Sequence, residues 1–525
     1  MPRYSSLPWP FSSKCLSVGC YTDDVLLLQC SLDIAFAAAA SITSPILREM
    51  VPGVCGKWAV CSGSIDPSDS SPQAAAKREI LEETKLSDSD ITILRRGKPF
   101  SLKDEELRTE WTIHPFAWQL KDGAREISFD WEHTEYKFVR PQDVASYDHV
   151  PQLEVGMERI LVSPETEKGL AILRDDHESG AQALALKSLQ ILLDMVRGSE
   201  LESLSTSVEF WRELRWRAWH LAKNGRPSMG AAIEAKLFKT LELVNRELQV
   251  LGSDTLGIPL SNLKGVVESV LEYKIAEGKQ SLEPIGKAFL EYVKSNWDVD
   301  DEGKLPKSTK IVTLSASGTT HACLTSLIEA LSQKGMSINI TFLESRPNFE
   351  GATAATAILS SFADKPEVLK NLSIEIIPDA SVATAVVDAD YVIFGGDKVI
   401  PNGNVSNKIG SCAAAVTAKA LNPACKVVAL FETDKITGSG FDSEYLTVES
   451  NDEAEITSSW PADVRSKVES KHQDARIKVK NEYFEWVPAK YIDVHITEQG
   501  ILLAEDISRL GFEKVELEKR LFGDL

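Results

Sequence analysis

Hydrophobic and polar positions change rhythm twice along this chain. Residues 56 to about 165 mix short apolar runs with one helical stretch. Residues 113–120 and 135–139 read as strands, the first bearing Phe116 and Trp118 just after Trp111. From 166 to about 295 apolar residues recur every three to four positions, most clearly over 181–196 and 210–223, which predicts successive amphipathic helices. A polar stretch at 296–308, rich in Asp, Gly, Lys and Pro, reads as a hinge or linker. Beyond it, short β-rich runs at 311–314, 338–343, 374–377, 391–394 and 427–431 alternate with helix-length segments. That alternation predicts an α/β fold with crossover connections and a mostly parallel, doubly wound sheet. The pattern gives four regions: an irregular segment 1–55, a mixed domain 56–165, a helical subdomain with linker 166–308, and an α/β domain 309–525. Within the first region only Val25 to Leu28 reads as a strand.

Bulk properties narrow the function. With 525 residues the chain exceeds one hydrophobic core. A net charge of −21 disfavours non-specific binding to nucleic acid or anionic lipid. The eight cysteines, at 15, 20, 30, 55, 61, 323, 412 and 425, form no Cys-x-x-Cys pair and no zinc spacing with histidine. No basic-flanked secretory signal opens the chain, and the apolar run 34–42 is too short to span a bilayer. A cytoplasmic protein with free thiols is expected.

The mixed domain carries the first chemical signal. Ser71 fits an N-cap and Pro72 the first turn of a helix that follows the Ser62-Gly63-Ser64 turn. On that helix Glu79, Glu82 and Glu83 stand at i, i+3 and i+4 and share a face. Arg78 lies four residues before Glu82 and is placed to hold its carboxylate. Three carboxylates on one face suit a hard divalent ion, Mg²⁺ or Mn²⁺. A solvated acidic helix face would bear the same residues. The segment Arg78-Glu79-Ile80-Leu81-Glu82-Glu83 resembles the core of the Nudix box at every position. The resemblance implies an α/β/α sandwich, with Arg78, Glu79, Glu82 and Glu83 at the catalytic centre and the three glutamates as metal ligands. A further acid from a later loop is implied, Glu132 or Glu135, whereas His133 reads as a loop residue. The flanks depart from the box. The family's first glycine falls on Ser64, its upstream glutamate on Ser70 and its final glycine on Lys85.

In an open parallel sheet ligands bind beyond the carboxyl ends of the strands. Here those ends read Ser315-Ala316-Ser317-Gly318, Glu344-Ser345-Arg346-Pro347, Pro378-Asp379 and Gly395-Gly396-Asp397-Lys398, followed by Asn407-Lys408-Ile409-Gly410. Small residues admit an anion to backbone N–H groups, and Arg346 and Lys408 add full charges. Any one of these segments would serve as a plain loop; their joint placement describes a sugar-phosphate pocket. With Asn224-Gly225-Arg226-Pro227 and Thr497-Glu498-Gln499-Gly500, they resemble the family of initiation factor 2B alpha, beta and delta subunits, which includes ribose-1,5-bisphosphate and methylthioribose-1-phosphate isomerases. The resemblance implies a Rossmann-like domain, a homodimer through it, Asp397 as a catalytic aspartate, and Arg226, Ser317, Gly318, Arg346, Asn407 and Lys408 as phosphate- or sugar-binding residues. Where those isomerases carry a catalytic cysteine this chain has Ser315, a far weaker acid. Cys323 falls about two turns into the next helix and is expected to pack there.

The leading expectation is a metal-dependent hydrolase of a nucleoside diphosphate derivative, such as ADP-ribose, joined to a domain that binds a sugar phosphate or nucleoside monophosphate. The alternatives are a non-catalytic regulatory or initiation-factor-2B-like subunit, and a ribose-1,5-bisphosphate isomerase. With Ser315 and no histidine in its motif, isomerisation is expected to be slow or undetectable, with gain in Ser315→Cys.

Overall fold

The computed structural model describes residues 11–21, 24–30, 57–104, 109–129, 133–250, 257–297, 306–438, 451–472 and 477–525. They form two compact units that divide between Glu167 and Lys168.

The first unit is built on a mixed sheet of β1 (Phe11–Tyr21), β2 (Asp24–Cys30), β3 (Trp58–Ala59), β4 (Cys61–Ser64), β5 (Ile91–Arg96), β6 (Phe100–Asp104), β7 (Thr109–Leu120) and β8 (His133–Val139). Its spine runs β3-β2-β1-β7-β5, with β4 on β1, β6 on β7 and β8 on β2. β1 and β7 are parallel, from Phe11 beside Glu110 to Cys20 beside Gln119. The irregular segment expected up to residue 55 therefore contains two strands. Serines and cysteines give β1 no alternating apolar signal, and its place is set by backbone pairing on both sides. β7 has the alternation expected of a strand buried on two faces. Phe116 and Trp118 join Ala75, Ala76 and Ile80 of the helix Pro72–Thr84 on one face. Ala117 joins Trp58, Val144, Leu153 and Met157 on the other. The helix Pro72–Thr84 starts where the sequence places it, with Ser71 Oγ accepting the Ala74 amide at 3.0 Å. Such a cap contributes about 1 kcal/mol.

The second unit begins with helices Ala181–Val196, Ser207–Asn224, Gly230–Val250, Leu260–Ala276 and Glu283–Ser295. Most of the expected linker, residues 298–305, lies outside the described residues. Then come β9 (Ser308–Leu314), β10 (Ser337–Leu343), β11 (Leu372–Ile377), β12 (Tyr391–Gly395), β13 (Lys398–Val399), β14 (Val405–Lys408), β15 (Lys426–Leu430), β16 (Phe484–Val487), β17 (Val494–Thr497) and β18 (Gly500–Leu502). The main sheet runs β11-β10-β9-β12-β15-β17-β18 and is parallel except for β18. β13, β14 and β16 form a small antiparallel sheet. Strand residues alternate between two cores. Ile311, Ile340, Phe342 and Ile393 face the helices Glu283–Ser295 and Gly318–Gln333. Val312, Leu314, Phe394 and Val427 face the helix Ser411–Leu421. Strand order reverses between β9 and β12, which opens a crevice beyond their carboxyl ends. Among the described residues no helix is long and apolar enough to cross a membrane.

Candidate active sites

In the first unit Arg78 is the hub. Its Nε and Nη2 hold Asp69 at 3.2 and 3.0 Å, and Nη2 also donates to the Ser64 carbonyl at 2.9 Å. Nη1 lies 2.7 Å from Glu79 Oε1 and 3.3 Å from Glu82 Oε2, so one cation bridges the two carboxylates. The Asp69 hydrogen bonds, with Glu79, drive the guanidinium further into its charged form. Burial pushes the Glu79 carboxyl up, against Arg78; the charges of Glu82 and Asp69 push the same way. Burial also works on Asp69, but Arg78 and the Asp66 amide outweigh it and hold that carboxyl below the usual range. Glu83 is buried; its Oε1 accepts the Ser62 amide at 3.1 Å and its Oε2 lies 3.7 Å from His133 Nε2. Glu82 is the exposed member of the three.

The geometry accounts for each departure from the sequence motif. A Cβ on Gly63 would fall 1.9 Å from Glu79 Oε1, so the glycine that admits this glutamate is Gly63, one residue before the aligned position. Asp69, not Ser70, supplies the acid that orients Arg78. Lys85 takes the left-handed conformation at the helix end, φ 61°, and donates its amide to Leu81 O. A glycine would adopt that conformation without strain. The expected loop position of His133 is corrected: it opens β8 and its ring reaches Glu83, because strand pairing with β2 draws it in. Glu135 pairs instead with Lys137 at 3.2 Å, and Glu132 lies outside the described residues. The carboxylates fit a hard divalent ion in donor type and in surplus negative charge. Among the described residues no three acidic, histidine or cysteine groups already converge on one ion-sized point; Arg78 stands between Glu79 and Glu82.

In the second unit the candidate residues gather at the carboxyl ends of β9, β10 and β12. Three non-glycine residues there are left-handed: Ser315 (φ 63°), Ser345 (φ 62°) and Phe349 (φ 54°). Each such residue costs on the order of 1–3 kcal/mol, and clusters of them mark functional sites. They lock together. Ser315 N–H donates to Ser345 Oγ at 2.8 Å, and Asp379 accepts the amides of Ser345 and Arg346, both at 2.8 Å. Ser315 Oγ donates to Glu350 Oε2 at 2.8 Å, while Lys408 Nζ meets Glu350 Oε1 at 3.0 Å. Lys408 also lies over the Tyr483 and Phe484 rings, 4.9 and 4.6 Å from their centroids. Ser345, Arg346, Pro347, Glu350, Lys408 and Tyr483 line an open cleft of about 230 Å³.

The other residues singled out from sequence hold definite places. Ser317 caps the helix Gly318–Gln333, accepting the Thr320 amide at 3.3 Å. Gly395 lies opposite it, and a Cβ there would come within 2.9 Å of Ser317 Oγ. Asn407 is buried and donates to Ser411 Oγ at 2.8 Å. Asp397 lies 3.7 Å from Lys435 Nζ. Lys435, with Gln182, Lys236, Lys279, Glu432 and Asp434, lines a second cleft of about 370 Å³. The three cations expected to meet a phosphate all have protein partners: Arg346 donates to Ser459, Arg226 to the Asp176 carbonyl and His177, and Lys408 pairs with Glu350. Cys323 is fully buried in the core, which raises its thiol far above the usual range. Sequence reading missed Glu350 and Lys435. Each looks like an ordinary charge in a loop, and only the fold brings Glu350 to Ser315, 35 positions away.

These two sites and the doubly wound sheet define a two-part protein, a Nudix-type unit followed by a sugar-phosphate-isomerase-like one. Residues 177–504 match the Initiation factor 2 subunit family, which is well over half of the chain, and the chain belongs to that family. Residues 48–160 match the NUDIX domain. Ribose 1,5-bisphosphate isomerase from Archaeoglobus fulgidus is 27% identical over 199 residues, 37% of this chain and 56% of that protein. Methylthioribose-1-phosphate isomerase from Aspergillus clavatus is 27% identical over 290 residues, 51% of this chain and 71% of that protein. The chain thus spans just over half of the first relative and somewhat more of the second. The translation initiation factor eIF-2B of Pyrococcus horikoshii OT3 superposes with a TM-score of 0.43 at 18% identity, over 65% of this chain and 98% of that one.

Proposed function

We propose that the first unit hydrolyses the diphosphate linkage of a nucleoside diphosphate derivative, and that the second binds a sugar phosphate. The observation that carries the first half is the Arg78 hub, which holds Glu79, beside Gly63, and Glu82 on the helix face they share with Glu83. Nudix hydrolases generally use divalent metals such as Mg²⁺ or Mn²⁺. Glu79, Glu82 and Glu83 would hold such an ion, which supplies charge neutralisation at the diphosphate and an activated water when bound. Arg78 aims the carboxylates of Glu79 and Glu82. Asp69 and the Ser64 carbonyl fix Arg78 in turn. Incubation of the full chain with Mg²⁺ and ADP-ribose, a nucleotide sugar or a dinucleoside polyphosphate, followed by mass spectrometry, tests this reading. Two phosphate-bearing products are expected from at least one compound. No cleavage of any of them rejects it.

The second half is supported by the named isomerase relatives and by the clustering of Arg346, Lys408 and Glu350 at the β10 and β14 ends. ADP-ribose would link the two halves, since its cleavage yields a ribose phosphate. Arg346→Ala is expected to weaken ribose 1,5-bisphosphate binding by roughly 1.5–3 kcal/mol, the scale of a charge-assisted hydrogen bond. Calorimetry reads this, and an unchanged affinity would remove Arg346 from the site. The regulatory alternative is favoured by one observation, Ser315 where the isomerases carry a catalytic cysteine. It predicts binding without turnover.

A further inference from the structure

We propose that Glu350 is the proton-carrying base of the second unit, so that this site isomerises an aldose 1-phosphate to the ketose phosphate with a carboxylate where a thiol would otherwise act. The inference rests on the sugar-phosphate reading above. Its basis is the placement of Glu350 between two groups of opposite use. Ser315 Oγ–H donates to one carboxylate oxygen at 2.8 Å and Lys408 Nζ meets the other at 3.0 Å. A serine hydroxyl has no accessible anion near neutral pH, whereas a carboxylate is a competent base there. Because the Ser315 proton points at the carboxylate, serine orients the base and does not replace it.

The fold fixes Glu350 firmly. It is the first residue of the helix Glu350–Ser361, where a helix N-terminus favours negative charge. Gly351 lets that helix start press against the end of β10. The left-handed Phe349 turns the chain so that Glu350 faces the 230 Å³ cleft. The ion pair gives the site an order of events. An incoming phosphate draws Lys408 to itself, and the oxygen that faced Lys408 becomes open to accept a proton.

The chemistry balances without oxidant or reductant. Asp397 follows β12 at the crevice where strand order reverses. In the proposed step it protonates the ring oxygen, the C1–ring-oxygen bond breaks, and C1 is left as an oxocarbenium ion that keeps its phosphate. Glu350 removes the proton from C2, and the C2–H electron pair becomes the C1=C2 bond of an enol phosphate. Glu350 returns the proton to C1 while the C2 hydroxyl gives its own proton back to Asp397. The net change is one hydrogen moved from C2 to C1 and a ketone at C2.

The test uses the full chain with ribose 1,5-bisphosphate and 5-methylthioribose 1-phosphate, measuring binding by calorimetry and ketose formation by NMR. Wild type is expected to turn over at least one of them. Glu350→Gln should lower turnover at least 100-fold while binding as tightly or several-fold more tightly, because Lys408 is released. A merely structural role would weaken both. Glu350→Asp should recover part of the rate, and Ser315→Ala should lose about tenfold or less. Undiminished turnover in Glu350→Gln overturns the proposal, as does a wild type that binds either sugar and forms no ketose; both leave the sugar-phosphate reading standing. A wild type that binds neither sugar overturns that reading and this inference with it.

Discussion

Glu82→Gln and Glu83→Gln are each expected to slow diphosphate hydrolysis at least 100-fold, while leaving the first unit folded. Both substitutions keep shape and remove one negative charge. Glu83 is the more informative, because its Oε1 accepts the Ser62 amide at 3.1 Å. A glutamine carbonyl can accept the same bond, so the fold loses little. The charge that would hold a metal is lost, and a 100-fold effect corresponds to about 2.7 kcal/mol of barrier. Glu82 is exposed, and its carboxylate meets Arg78 at 3.3 Å. Its replacement should cost almost nothing in stability. Rates measured over a Mg²⁺ titration check this. Unchanged turnover in both variants would mean that the glutamates are a solvated face.

The second large effect is on stability. Gly351→Ala should destabilise the second unit by more than the usual 1–3 kcal/mol of an overpacked core. The new Cβ would fall 1.8 Å from the Leu343 carbonyl oxygen and 2.9 Å from Ser345 Oγ. The first of these is backbone of β10 and cannot rotate away. Relief requires the helix Glu350–Ser361 to shift, which separates Glu350 from Ser315. Thermal unfolding should therefore show a lower midpoint, by several degrees, and ribose 1,5-bisphosphate should restore less of it than in wild type. A variant with a wild-type midpoint would show that the close approach is not required.

Much of this was legible from the chain. The helix Ala181–Val196 and the strand ends at Leu314 and Leu343 fall where periodicity puts them, because the helix buries one apolar face and the two strands pack into cores on both faces of the sheet. The Arg78–Glu83 segment was legible because spacing on a helix determines a shared face. What escaped was set by long-range pairing. β1 has a polar, cysteine-bearing sequence and is a strand because β7 and β4 flank it. His133 reads as a loop residue until β8 pairs with β2. The one-residue displacement of the motif glycine to Gly63, and of its acid to Asp69, follows from where Glu79 and Arg78 need room and charge. Glu350 escaped for the same reason. Its partner Ser315 belongs to a different strand end, and nothing local joins them.

Hydrolysis of a diphosphate by the first unit, as proposed, requires water to supply one product oxygen. The most direct measurement incubates the full chain with Mg²⁺ and ADP-ribose in ¹⁸O-labelled water and weighs the products. One labelled oxygen in one of the two phosphate-bearing products, abolished by chelation of the metal and by Glu83→Gln, is the predicted result. Unlabelled products, or cleavage that persists with the metal removed, would contradict it.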